Sequence, residues 1–354
     1  MRSHSQMRIE ERYRLESRLG EGAQSVVYLG SCLSTGALVA VKQIKATDPS
    51  LIRADAVPIT KLAANFREIA VLQRLRSSGT HPNIVELIEV VFDERSVYIV
   101  MEHCGVSLSE FIAQARRASH GGSGLGIGTI REVMQQTLSA MAFVHSQLVL
   151  HRDLKPQNIF IAQSASGHIV VKVGDFGLSK AQTVPIAPET LHVASLWYRA
   201  PEVLLQSGYD VGIDLWSLGC IIGELATGRP LFVESCEYGL LMKIFQTLGT
   251  PTKDQWAVLA TANNYSPKWP QWKTIDCLPF FTRVMRSLLG HDGCDLLMAL
   301  FKYESNARVR CAQALKHSFF RPSGVNDDTC DNYLHPVEHF DLGSLSDRFS
   351  DLSV

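Results

Sequence analysis

No long hydrophobic run is present: the longest apolar stretches, such as 215–225, fall short of a bilayer's needs and contain polar residues, whereas a spanning helix takes roughly 20 apolar residues. The opening residues MRSHSQMRIEERYR are charged and lack an apolar centre, so they do not read as a secretory signal. Charge of one sign is missing as well. Lys and Arg total 34 against 35 Asp and Glu, a net charge of −1, so neither nucleic acid nor a membrane surface is an expected partner. The 8 cysteines show no paired metal-ligand spacing, and in a chain of this length they read as reduced, mostly buried thiols. These absences point to an intracellular protein, in the nucleus, the cytoplasm or both, and they select no chemistry.

What is present is a chain of 354 residues with 46% apolar content, enough for two lobes around a sizeable core. The first hundred residues carry β-branched runs around Tyr28 and Leu29, and over 38–41, 84–91 and 97–101, separated by turn residues. Between them, 62–76 places Phe66, Ile69, Ala70 and Leu72 at helical spacing, with Gly79 beyond its end. Past Gly105 the pattern turns helical, with apolar stripes over 130–147, 213–227 and 236–248. The fold class that follows is α+β, a small antiparallel sheet lobe with one helix and a larger, mainly helical lobe. Segment 46–60 reads as a loop, the glycine-rich 120–128 as a flexible insertion, and the tail, with seven acidic residues against one arginine after Pro322, as mostly disordered.

Several segments carry chemistry. Gly20, Glu21 and Gly22, followed by Ala23, Gln24 and Ser25, suit a hairpin whose N–H groups approach phosphate, although glycine turns between strands are common. In Val39-Ala40-Val41-Lys42, strand alternation puts Ala40 and Lys42 on one face. A lysine on an inward face needs anions, for which phosphate oxygens and Glu68 are candidates; a solvated edge lysine is the bland alternative. The run His151-Arg152-Asp153-Leu154-Lys155-Pro156-Gln157-Asn158 combines a proton acceptor in Asp153, a cation in Lys155 and an oxygen donor in Asn158. After an apolar run at 170–173, Asp175-Phe176-Gly177 adds a carboxylate suited to Mg²⁺. Phosphoryl transfer needs this mixture, since its catalysis is chiefly positioning and charge neutralisation.

In this order the segments resemble the eukaryotic protein kinases, from about Tyr13 to Arg321. Trp197-Tyr198-Arg199-Ala200-Pro201-Glu202 is similar to the end of a kinase activation segment, and the run from Asp214 to Cys220 to the central helix of the large lobe. The resemblance implies an N-terminal extension at 1–12, a small lobe at 13–104, a large lobe at 105–321 with its activation segment at 175–202, and the tail at 322–354. It implies ATP and Mg²⁺ as cofactors, with ATP among Leu19, Gly20, Glu21, Gly22, Val27, Ala40, Lys42, Glu68, Met101, Glu102, Cys104 and Phe160. Asp153 and Lys155 are then catalytic, Asn158 and Asp175 hold metal, and Glu202 with Arg308 forms a structural pair.

Leu196 ahead of Trp197, together with Phe245-Gln246-Thr247-Leu248-Gly249-Thr250-Pro251, is similar to the proline-directed branch, and within it the cyclin-dependent kinases. Thr190 stands where that family carries an activating phosphothreonine, with Arg67, Arg152 and Lys180 as its cationic partners. Lysine at 180 replaces the usual arginine and gives a point charge instead of a fork. His192 and Leu196 disfavour the mitogen-activated branch. The resemblance implies a cyclin-type subunit, with Leu62 and Phe66 either touching it or packing inward, protein substrates, and an activating kinase for Thr190. Arg199 and Val193 resemble residues that shape a pocket for proline. Ala23 and Gln24 lack the hydroxyls of the family's inhibitory sites, and Phe160 replaces a usual leucine, implying a shallower adenine site. A cyclin-independent kinase and a pseudokinase scaffold remain as alternatives; the intact Lys42, Asp153 and Asp175 count against the second.

Overall fold

A computed structural model gives the fold. It describes residues 8–21, 25–44, 59–93, 96–118, 124–163, 168–181, 196–260, 262, 265–266 and 268–321, with backbone only at 59–66, 163, 181 and 260. Strands β1 (Tyr13–Glu21), β2 (Ser25–Cys32), β3 (Leu38–Ile44), β4 (Leu87–Phe92) and β5 (Val97–Glu102) form an antiparallel sheet in the order β1-β2-β3-β5-β4. Alternation decides its two faces. Val39 and Val41 are buried on one face with Ile9, Tyr13, Val91, Tyr98 and Val100. Ala40 and Lys42, half-buried, point the other way. Ile9 precedes the expected start of the small lobe, yet it covers the sheet's outer face, and Arg12 and Tyr13 both bind Glu89.

Helix α1 (Ile59–Ser77) follows β3 and begins earlier than its apolar spacing indicated, so Thr60, expected in the loop, lies in its first turn. Its buried stripe is Ile69, Val71, Leu72 and Leu75, whereas Ala70 is exposed. Helical spacing admits Ala70 or its neighbour Val71 to this stripe, and the larger Val71 takes the inward position because it removes more area from water.

After β5 the chain enters the large lobe through Gly105. Its φ of +81° and the carbonyl of Ile161, which would lie 2.3 Å from a Cβ, leave room for glycine alone. There follow β6 (Val106–Ser107), α2 (Leu108–Ala118), α3 (Ile127–Ser146), β7 (Val149–Leu150), β8 (Ile159–Gln163), β9 (Ile169–Val173) and β10 (Lys180–Ala181). Strands β6, β8 and β9 form one small sheet, and β7 with β10 another. Helices α4 (Pro201–Leu204), α5 (Gly212–Thr227), α6 (Glu237–Leu248), α7 (Thr274–Leu300) and α8 (Cys311–Ala314) complete the lobe. Every residue of α5 from Gly212 to Ala226 is buried, Asp214, Ser217 and Glu224 among them, so the helix lies inside the lobe where an apolar stripe alone indicated one buried face.

The insertion read as flexible is anchored at its far end. Gly124 and Leu125 donate backbone hydrogen bonds to Ala226 and Leu225, Leu125 and Ile127 pack on the core, and Gly128 lies within α3. The main core runs through both lobes, from Ile69 and Leu72 of α1 to Leu297 of α7.

Candidate active site

Strand β3 delivers Lys42 to the cleft side of the sheet. Its Nζ lies 2.6 Å from Glu68 Oε2 on α1 and 3.6 Å from Asp175 Oδ1. Burial works against the ammonium, but the two carboxylates outweigh it and hold the Lys42 pKa above its ordinary value. Asp175 takes a left-handed backbone (φ +57°), turning its half-exposed carboxylate into the cleft while Phe176 is buried beside His151, ring centroids 4.9 Å apart. Burial would raise the Asp175 pKa; Lys42, His151 and Lys155 prevail and lower it.

Opposite lies the loop that follows β7. Lys155 Nζ is 2.6 Å from Asp153 Oδ2. Asn158 Nδ2 donates to the Asp153 carbonyl (2.8 Å) and to Asp153 Oδ2 (3.1 Å). With its NH₂ group so engaged, Asn158 has only its carbonyl oxygen to offer a cation. Asn158 and Asp175 thus supply two hard oxygen donors of the kind a divalent metal bound with phosphate and water takes. Among the described residues no cluster of three His, Cys, Asp or Glu is suited to metal.

The nucleotide side is assembled by strand register. Gly20 of β1 stands opposite Val27, Val27 opposite Lys42, and Ala40 opposite Met101. Leu19 is half-exposed and Glu21 ends β1. Ser25, expected to sit in a turn, instead opens β2 opposite Ile44. Glu102 takes the Glu86 N–H on Oε1 at 2.8 Å and is paired with Lys172 of β9 at 2.6 Å. Cys104 is buried, and burial with the Glu102 charge pushes its thiol up to about 12, so it is inert at neutral pH. Phe160 is half-buried on β8.

Of the three cations assigned to a phosphothreonine, Arg67 is half-buried on α1, Arg152 donates to the Leu178 carbonyl and to the Tyr209 hydroxyl, and Lys180 lies in β10 opposite Leu150. Gly22, Ala23, Gln24, Thr190, His192 and Val193 lie outside the described residues, as do the side chains of Leu62 and Phe66. Arg199 is paired with Glu237 at 2.6 Å. Below it, Arg308 binds both oxygens of Glu202, at 2.5 and 2.8 Å, and both side chains are almost fully buried.

Sequence reading assigned no role to Asp214, yet it holds the start of the loop that carries Asp153, Lys155 and Asn158. Buried in the first turn of α5, it accepts the N–H groups of His151 and Arg152, each at 2.9 Å, and its Oδ2 is 2.9 Å from His145 Nε2. Burial alone would raise its pKa; these partners lower it. Arg152 is held at φ +69°, a costly conformation for a residue with a side chain. The signal in the sequence was an aspartate opening the mostly apolar run from Asp214 to Cys220.

The protein kinase domain family matches residues 13–320. The chain is 38% identical over 316 residues to "Cell division control protein 2 homolog 1" of Trypanosoma brucei brucei, covering 87% of this chain and 98% of that protein. With an ATP and divalent-metal cleft of the geometry described, the chain belongs to the eukaryotic protein kinases, as a serine/threonine kinase of the cyclin-dependent type.

Proposed function

We propose that this kinase moves the γ-phosphoryl group of ATP to serine or threonine hydroxyls followed by proline, with Mg²⁺ as its metal and under a cyclin-type subunit. The observation that carries the reading is the convergence of Lys42, Glu68 and Asp175 across the cleft from Asp153, Lys155 and Asn158. Lys42, oriented by Glu68, binds the α- and β-phosphates. Asp153 orients the substrate hydroxyl and accepts its proton, while Lys155 neutralises the phosphoryl oxygens in flight. When bound through Asp175 and Asn158, the metal supplies charge neutralisation between the phosphates.

The remaining assignments extend this reading. Phosphorylation of Thr190 by a separate kinase draws on Arg67, Arg152 and Lys180, and Arg199 with Val193 shapes the proline pocket. The family resemblance supports a cyclin on α1, protein substrates in cell-cycle control, and work in the nucleus or cytoplasm. A second reading, activity without a cyclin, is favoured by the Lys42–Glu68 contact, which the chain's own residues make.

The test measures phosphate transfer to a Ser-Pro peptide by wild type and Asp153→Asn, each with and without candidate cyclins. The expected result is cyclin-stimulated transfer by wild type, and loss of about 10³-fold or more in the variant with nucleotide binding kept. Full rate in the variant overturns the catalytic assignment; equal rates with and without every cyclin favour the second reading.

A further inference from the structure

The floor of the nucleotide site departs from what a phenylalanine at 160 suggests by itself. Along β8, Ile159 and Ile161 are buried in the large-lobe core, so alternation turns Phe160 toward the cleft. Gly174, one residue beyond β9, is buried beside it. Its backbone cannot shift freely: the N–H donates to the Asn158 carbonyl at 2.9 Å, and its own carbonyl lies 3.0 Å from His151 Nε2. Any displacement there would carry Asn158 and Asp175 with it.

A Cβ placed on Gly174 would lie 2.8 Å from Val85 Cγ2, 3.0 Å from Phe160 Cε2 and 3.5 Å from Phe160 Cδ2. Ordinary carbon contacts are about 3.5–4.0 Å. The ring edge of Phe160 therefore occupies the volume that a side chain at 174 would take. Val85 has little room to yield, because its backbone N–H is bonded to Val173 at 2.9 Å and its branched side chain is stiff. The ring is the part free to move, and with the core closed behind Ile159 and Ile161 its open direction is the cleft.

We propose that Phe160 and Gly174 act as one unit that sets the height of the purine site, the missing side chain at 174 keeping the ring out of the base's place. The inference rests on the ATP reading above. It turns the expected shallow pocket into one of ordinary depth with an aromatic floor, whose face offers the base a stacking surface. Gly174 is a positioning residue here; it acts through Phe160 and touches no substrate.

The experiment is a double-mutant cycle on the full chain, with binding of a fluorescent N-methylanthraniloyl-ADP as readout beside KM for ATP. Gly174→Ala is expected to weaken nucleotide binding about tenfold or more, from the usual cost of overpacking, with KM rising in parallel and kcat falling less. Phe160→Leu in the same chain is expected to restore part of the affinity, a non-additive result, the remainder being the contact with Val85, which it leaves in place. Unchanged affinity in Gly174→Ala overturns the proposal, as does a loss that Phe160→Leu does not relieve. Should Gly174→Ala fail to fold, the double variant is expected to recover a cooperative melting transition below that of wild type, and no recovery overturns the coupling. Wild type that binds no adenine nucleotide overturns the ATP reading itself, whereas wild type that binds while the cycle is additive overturns this inference alone.

Discussion

Asp214→Asn tests whether α5 holds the catalytic loop in its working shape. The carboxylate faces three donors, the N–H groups of His151 and Arg152 and the ring of His145, all at 2.9 Å. An asparagine of the same size offers one acceptor and places an NH₂ where a second acceptor stood. At least one charge-assisted hydrogen bond is lost, worth about 1.5–3 kcal/mol. The left-handed conformation of Arg152 costs about 1–2 kcal/mol and loses its restraint. The productive loop should therefore be depopulated by about 10- to 100-fold. In steady-state assays kcat is expected to fall by that factor, with KM for ATP changed less, because Lys42 and Glu68 lie outside the loop that Asp214 holds. The pH dependence adds a sign. The folded-state pKa of Asp214 is lowered, so its contribution is present at neutral pH and lost as pH falls through that lowered value. Wild type and Asp214→Asn should thus converge in stability in acid. A variant with wild-type kcat, or an equal stability gap in acid and at neutrality, refutes the reasoning.

Arg308→Ala strands the Glu202 carboxylate at 2% exposure and is expected to cost about 3–5 kcal/mol, seen as a fall in melting temperature of about 10 °C; Arg308→Lys, which keeps the charge but not the fork, should fall between it and wild type. Cysteine labelling should separate two thiols at neutral pH. Hydrogen bonds from Ser34 and Thr35 lower Cys32 to about 6, while burial raises Cys104 to about 12, so iodoacetamide followed by mass spectrometry should find Cys32 modified well before Cys104, and equal rates would contradict both environments.

The sequence made the lobes and the reacting groups legible, because each lies in a short segment whose residue types state their own purpose. Lys42 alternates with two valines, Asp153 shares a run with Lys155 and Asn158, and Asp175 leads a Phe-Gly pair; the structure brings these within hydrogen-bond or ion-pair reach. The Glu202–Arg308 support was legible through the family resemblance, 106 residues apart; other supports over long separations were not. Asp214 lies 62 and 63 residues from the N–H groups it binds. A side chain at Gly174 would meet Val85 and a ring from another strand, and Ile9 is buried by a sheet face that does not exist until β3, β4 and β5 have paired. Helical spacing likewise pointed to Ala70 where Val71 is buried, since periodicity fixes a stripe to within a residue and packing chooses the member.

Lys172 clamps Glu102 just before the crossing at Gly105, so the swing axis between the lobes is pinned at one end of the cleft. Strand β1 stands three strands away from β5, about 14 Å at the usual spacing. Any opening is therefore levered: Met101 and Cys104 stay nearly still while the hairpin of β1 and β2 travels furthest. On the proposed placement of the nucleotide, its base would stay gripped while its phosphates were freed first, a tail-first departure of product.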